Sequence, residues 1–204
     1  ERYSRLNTAI KNDPCDRVKE VQREIDFITS RESITGVLLD HLAAGRLIER
    51  VTHNDTKLNN VMIDEQTDEA VCVIDLDTVM PGLALYDFGD LIRGATSPVA
   101  EDEPDASKVE MRLPMFEAIV EGYLETAANF LTPLEIDLLP FSAKLITLET
   151  GIRFLTDHLE GDKYFRVHRD NHNLDRCRTQ LALVKSNEDQ EGEMLNFVKK
   201  WHRS

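Results

Sequence analysis

Two short segments concentrate the side chains able to do chemistry. His53-Asn54-Asp55-Thr56-Lys57-Leu58-Asn59-Asn60 brings together an imidazole, a carboxylate, an ammonium and several amides, and Ile74-Asp75-Leu76-Asp77 adds two more carboxylates. Between them the pattern predicts a β hairpin. Val61-Met62-Ile63 is one arm, Ala70 to Ile74 the other, and the polar run Asp64 to Glu69 the turn. Asn60 just precedes the first arm and Asp75 just follows the second, so an antiparallel pairing sets them side by side. Asp55, Asn60 and Asp75 are therefore expected to converge. Magnesium prefers hard oxygen ligands and keeps waters and phosphate oxygens in its shell. One carboxylate and one amide oxygen of this set suit it. The second carboxylate, held off the ion, would orient a hydroxyl and accept its proton, and Lys57, two residues past Asp55, would place a cation on a transferring phosphate. Lone Asp and Asn residues more often turn or cap the chain. The joint pattern H-x-D-x-K-x-x-N, hairpin, I-D is more specific, because several residue types must fall at fixed offsets.

The elements that would position these residues are mostly helical. Asp13-Pro14 reads as the start of a first helix, with Val18, Val21, Ile25 and Ile28 as its apolar stripe. A second helix is expected from Ser33 to Ala44, stopped at Gly45. Leu47 to Val51 reads as a short strand. The second hairpin arm is apolar on both faces, which predicts burial. Past Leu85 the chain turns helical. Phe116, Ile119, Val120, Tyr123, Leu124, Ala127, Phe130 and Leu131 form one stripe, and Phe141, Leu145, Leu148, Ile152, Leu155 and Leu159 another. Thr132-Pro133-Leu134-Glu135 is a capping box. Residues 181–201 predict one or two last helices. The expected fold class is mainly α with a small β hairpin, organised over residues 1–204 as a single unit. Residues 1–50 are a helical lead-in, 51–96 hold the catalytic loop, hairpin and metal loop, and 111–204 are a helical part.

Composition narrows the function classes. The chain has 204 residues and a net charge of −14, from 24 Lys plus Arg and 38 Asp plus Glu. Nucleic-acid binders release counterions through Lys and Arg, so this balance argues against a nucleic-acid partner. No apolar run reaches the roughly 18 residues of a membrane span. Cys15, Cys72 and Cys177 are scattered and odd in number, which reads as reduced thiols in a cytoplasmic protein. His168-x-x-x-His172 has helical metal spacing but lacks the protease Glu. Gly89-x-x-x-x-Gly94-Ala95-Thr96 mimics a P-loop with Ala95 in place of the Lys. Neither is taken as a site.

The two motifs resemble the catalytic and metal loops of the aminoglycoside phosphotransferase/choline kinase branch of the protein-kinase-like superfamily. The resemblance implies a kinase-like C-terminal lobe, with ATP as phosphoryl donor and Mg2+ as cofactor. It makes Asp55 the catalytic base, Asn60 and Asp75 the magnesium ligands, and Asp87 a support for the catalytic loop, with His53 beside it. Asn54 stands where this branch often has Gly, and Leu76-Asp77 replaces the Phe-Gly of protein kinases. Further stretches extend the likeness to the N-acetylhexosamine 1-kinase family: Val73 to Gly82, Tyr86 to Arg93, Arg153 to Leu159, Asp162, Tyr164 to Arg166 and Asn173 to Arg178. That family implies phosphorylation of the anomeric hydroxyl of an N-acetylhexosamine, with Asp55, Arg153 and Tyr164 hydrogen-bonding the sugar and Trp201 as the nearby aromatic residue. Each has a plainer alternative. Arg153 could pair with Glu149 and Asp157 on its own helix, Tyr164 could be a packing residue, and Trp201 could belong to the core.

Kinases of this kind cover the nucleotide with a β-rich N-terminal lobe bearing a glycine-rich loop. This sequence has nine glycines and no G-x-G. The expectation is a C-terminal lobe whose partner, the N-terminal lobe, is missing, inactive on its own. The competing functions are a kinase of another sugar, an aminoglycoside or choline, and a non-catalytic sugar-binding module.

Overall fold

A computed structural model describes residues 1–201. Among the described residues the helices are α1 (Arg2–Asn12), α2 (Gln22–Thr29), α3 (Val37–Ala43), α4 (Ala84–Thr96), α5 (Leu113–Ala127), α6 (Pro133–Asp137), α7 (Leu139–Leu159), α8 (His172–Asp189) and α9 (Glu191–Trp201). The strands are β1 (Arg50–Thr52), β2 (Val61–Ile63), β3 (Ala70–Val73) and β4 (Met80–Gly82). β2 and β3 pair antiparallel as the expected hairpin, with Val61 opposite Val73. A second two-stranded ribbon, β1 with β4, sets Thr52 opposite Met80; the sequence pattern did not reveal it. The fold is mainly α with small antiparallel ribbons.

Helix α7 is the axis of the molecule. It is buried around nearly its whole circumference, as expected of a central helix. Its first half joins a core with Phe88 of α4, Phe116, Val120 and Leu124 of α5, and Met194 and Val198 of α9. Its second half, Leu148 to Leu159, joins another core with Leu6 and Ala9 of α1, Ile25 and Ile28 of α2, and Leu174, Cys177 and Leu181 of α8. Where α4 crosses α7, Gly89 permits the contact. A Cβ there would lie 2.5 Å from the Ser142 carbonyl oxygen and 2.6 Å from the Ile146 side chain. The P-loop-like glycine is thus a packing glycine inside a helix.

Three expectations need correction. The first helix lies before Asp13, and the next α-helix does not start at Asp13. Asp13 closes α1 in a left-handed conformation (φ +36°), and its carboxylate caps the turn beyond by accepting from Arg17 N and Val18 N. Asp13 is thus the C-cap of α1 and not the expected N-cap, and α2, which carries Ile25 and Ile28, begins only at Gln22. The first strand starts at Arg50, not Leu47, because Leu47 drops into the core. The second hairpin arm is not buried: Val71 is 65% and Val73 52% exposed. Among the described residues β2 and β3 pair only with each other, a two-stranded ribbon with both outer edges open. The capping box is present: Thr132 and Glu135 exchange bonds, and Arg50 adds an ion pair to Glu135 at 2.9 Å that ties β1 to α6.

Candidate active site

The loop after β1 is fixed by main-chain bonds before any side chain can act. Asp87, near the start of α4, accepts from His53 N at 2.8 Å with one oxygen and from Asn54 N at 2.7 Å with the other. Asn54 is left-handed (φ +62°), a conformation that Asn tolerates better than most residues. Its amide donates to the Thr78 carbonyl, and Thr78 Oγ1 donates to the His53 carbonyl at 2.6 Å. Thr56 Oγ1 donates to the Asp87 carbonyl. His53 Nε2 lies 3.0 Å from the Ile74 carbonyl. A carbonyl only accepts, so Nε2 carries the proton, and the buried Nδ1 has no hydrogen-bond partner. His53, Asn54 and Thr78 therefore tie the loop of Asp55 to that of Asp75, and Asp87 ties it to α4.

On this frame the four central residues meet. Lys57 Nζ lies 2.6 Å from Asp55 Oδ2 and 4.0 Å from Asp75 Oδ2. Asn60 Nδ2 donates to Asp55 Oδ2 and to the Asp55 carbonyl, both at 2.9 Å. Ile74 N donates to the Asn60 carbonyl, which closes the hairpin mouth as the register requires. Partial burial pushes the Asp55 carboxyl up, but the hydrogen bonds from Lys57 and Asn60 and the Lys57 charge outweigh it, and the group sits below its ordinary value. The Asp55 bond holds the Lys57 ammonium above its own. Asp55 is thus ionised at neutral pH, suited to accept a hydrogen bond from a hydroxyl. Asp75 is left-handed (φ +62°) and exposed, with Lys57 its only ion-pair partner among the described residues.

The donor set suits a hard divalent ion. Asn60 uses its amide nitrogen on Asp55, which leaves its oxygen free. Asp75 keeps a carboxylate with little prior engagement, and both are oxygen ligands of the kind magnesium takes. Among the described residues no group of three His, Cys, Asp or Glu side chains could hold a metal, so the candidate set is one carboxylate and one amide, completed by phosphate and water.

Arg153 and Tyr164 form a second cluster, joined to the first by no hydrogen bond or ion pair among the described residues. The Arg153 guanidinium lies 5.4 Å from the Phe165 ring centroid, and the exposed Tyr164 ring meets Phe165 edge-on at 4.8 Å. The helix-face pairing considered for Arg153 does not form. Glu149 pairs with Arg2 at 3.3 Å, and Asp157 is taken by main-chain amides. Arg153 has no ion pair among the described residues. A cavity of about 270 Å³ beside Tyr86 of α4 and Glu149 and Ile152 of α7 is lined by no residue of either cluster. Trp201 is not brought to either cluster. It packs at the end of α9 against the core formed with α4 and α5, while Phe165 belongs to the other core. Sequence reasoning missed Thr56 and Thr78 as loop ties; short hydroxyl residues at loop ends carry little signal of their own.

A family model described as phosphotransferase enzyme family, APH, matches residues 6–125, more than half of the chain.

Proposed function

The chain belongs to the phosphotransferase enzyme family, and from that premise we propose that it transfers the terminal phosphoryl group of ATP to the anomeric hydroxyl of an N-acetylhexosamine. Membership gives the kinase-like fold and phosphotransfer to small molecules; the sugar is the further step. The carrying observation is the meeting of Asp55, Lys57, Asn60 and Asp75 at the mouth of one β ribbon. Asp55 orients the hydroxyl and accepts its proton as the bond to phosphorus forms. Lys57, now shared by two carboxylates, turns to the transferring phosphate. Asn60 and Asp75 would hold magnesium, which when bound neutralises phosphate charge. Arg153 and Tyr164 hold the sugar away from the reacting carbon. The free guanidinium supports this role, since it has donors to spare and no carboxylate to satisfy.

The exposed apolar ribbon has a place in the same reading. Met62, Val71, Val73 and Leu76 are all more than half exposed, and exposed apolar surface of this kind marks a place for a partner or ligand. They form the floor on which the nucleotide base and a covering N-terminal lobe of the same protein rest. The unpaired thiols fit a cytoplasmic enzyme, and no helix among the described residues is long and apolar enough to cross a membrane.

The test incubates the full-length protein, its covering N-terminal lobe included, with ATP, magnesium and an acceptor panel of N-acetylglucosamine, N-acetylgalactosamine, choline and kanamycin, read by phosphorus NMR. The expected product is a sugar 1-phosphate. Transfer only to choline or kanamycin overturns the sugar assignment, and Asp55→Asn at undiminished turnover overturns the mechanism.

A further inference from the structure

The chain reverses direction between α7 and α8, and the reversal carries Tyr164. Gly161 and Asp162 are both left-handed, at φ +96° and +58°, so the turn is tight. The next three main-chain amides, which no helix or strand employs, converge on one side chain. Asp157 Oδ1 accepts from Lys163 N at 3.0 Å and Tyr164 N at 2.8 Å, and Oδ2 accepts from Phe165 N at 3.0 Å. A fourth bond reaches Oδ2 from Asn173 Nδ2 of α8 at 2.8 Å. That same amide nitrogen lies 2.9 Å from Asp162 Oδ1, and Arg17 binds the other Asp162 oxygen at 2.6 Å and the His158 carbonyl at 2.7 Å.

Asp157 is 3% exposed, and no cation pairs with it among the described residues. A buried carboxylate without a counter-ion is costly unless its lone pairs are met by hydrogen bonds. Here they are met by three consecutive amides and one side-chain amide, an arrangement that fixes the main chain at three successive residues. A loop held only to join two helices needs no such grip. What the grip fixes is the direction of Tyr164 and Phe165, and Phe165 is the ring on which both Tyr164 and Arg153 rest. A third ring, Phe154 on α7, backs it at 4.7 Å.

We propose that Asp157 is a positioning residue for the acceptor: its carboxylate grips the 163–165 main chain and thereby holds Tyr164 and Phe165 in register with Arg153. This rests on the reading of Arg153 and Tyr164 as the sugar-binding pair. Pre-organisation of this kind is expressed in acceptor affinity, because a loosened loop must be ordered at the moment of binding. The phosphoryl-transfer residues hang from Asp87 on α4 and do not depend on it.

The experiment compares Asp157→Asn and Arg153→Ala with the unaltered protein. Asparagine keeps the size but has one accepting oxygen and turns an N–H toward main-chain N–H groups. Three quantities are read: hydrogen exchange of the amides of 163–165, the KM for N-acetylglucosamine against kcat, and the KM for ATP. The expected result is faster exchange at 163–165 and an acceptor KM raised roughly tenfold or more, with kcat within about threefold and ATP KM unchanged. Faster exchange with an unchanged acceptor KM, while Arg153→Ala raises it, overturns the positioning role alone. An unchanged acceptor KM in Arg153→Ala overturns the sugar-pair reading and the positioning role with it. Should Asp157→Asn fail to fold, Asn173→Ala decides. It removes one of the four bonds, and a raised acceptor KM supports the proposal while an unchanged one overturns it.

Discussion

Replacing Asp87 by asparagine tests whether the catalytic loop depends on its main-chain anchor. Both Asp87 oxygens accept main-chain amides, from His53 at 2.8 Å and Asn54 at 2.7 Å. Hydrogen bonds to a charged acceptor contribute about 1.5–3 kcal/mol each. Asparagine retains one of them, loses the other, and faces an N–H to the donor it abandons. Asn54 sits at φ +62°, so the loop has a more relaxed conformation ready to adopt. A loss of about 2–4 kcal/mol in holding the loop corresponds to roughly 30- to 10³-fold in kcat, if the whole of it falls on placing Asp55. The ties from Thr56 and Thr78 remain, so the fold survives and the loss is confined to turnover. Steady-state transfer to N-acetylglucosamine, paired with thermal unfolding, separates the two. The expected outcome is a kcat reduced within that range with a melting temperature lowered by a few degrees. A kcat within threefold of the unaltered protein refutes the anchoring argument. So does a loss of activity that merely tracks unfolding.

Lys57→Ala removes the cation shared by Asp55 and Asp75 and is expected to lower kcat roughly 10²-fold, as loss of one charge-stabilising donor does; an unchanged rate detaches Lys57 from the transferring phosphate. Gly89→Ala forces a Cβ to within 2.5 Å of the Ser142 carbonyl and should destabilise the fold by about 1–3 kcal/mol, the range for overpacking, read by urea denaturation; unaltered stability would show that α4 and α7 can part without strain. Burial and the Arg17 guanidinium hold the His158 imidazole below its ordinary value of 6.5. The folded chain therefore resists a proton that the unfolded chain accepts, and stability falls as pH drops below about 6.5. His158→Gln should flatten that part of the stability profile, and a variant whose profile keeps the same slope would place the effect on other groups.

How far the sequence could be read depended on what carried each signal. The convergence of Asp55, Asn60 and Asp75 was legible because a hairpin is a local device: its register follows from the length of its turn, and its two ends must meet. The helical stripes of α5 and α7 and the capping box at Thr132 were legible for the same reason. β1 pairing with β4 was not, since the partners lie some thirty residues apart and each is only three residues long. The burial expected for β3 failed on different grounds. An arm apolar on both faces indicates that something covers it, but not that the covering belongs to the same segment of fold. Arg153 shows the limit of helix-face rules. Its spacing from Glu149 and Asp157 is right for two ion pairs, yet Arg2 takes one carboxylate and the 163–165 amides take the other. The first competitor could not be found without knowing that α1 lies against α7, nor the second without the path of the turn after α7.

The two clusters are linked through one helix crossing. Asp87 grips the catalytic loop from α4, Arg153 stands on α7, and the two helices meet at Gly89 with no room for a side chain. A close crossing fixes the separation between them more firmly than larger residues would, because interhelical distance follows the side chains at the contact. The phosphoryl-transfer groups and the free guanidinium therefore sit on one rigid body, although the segments carrying them are a hundred residues apart. Charge divides the labour in the same way. Two carboxylates against one ammonium leave the ribbon mouth net negative, so a phosphate chain is repelled there unless a cation accompanies it. The cluster at Phe165 instead presents an unpaired cation and a phenol, groups that suit a neutral, hydroxyl-rich acceptor. On the proposed reading, in which a polyanion and a sugar are received together, this separation leaves the Arg153 guanidinium free for the acceptor.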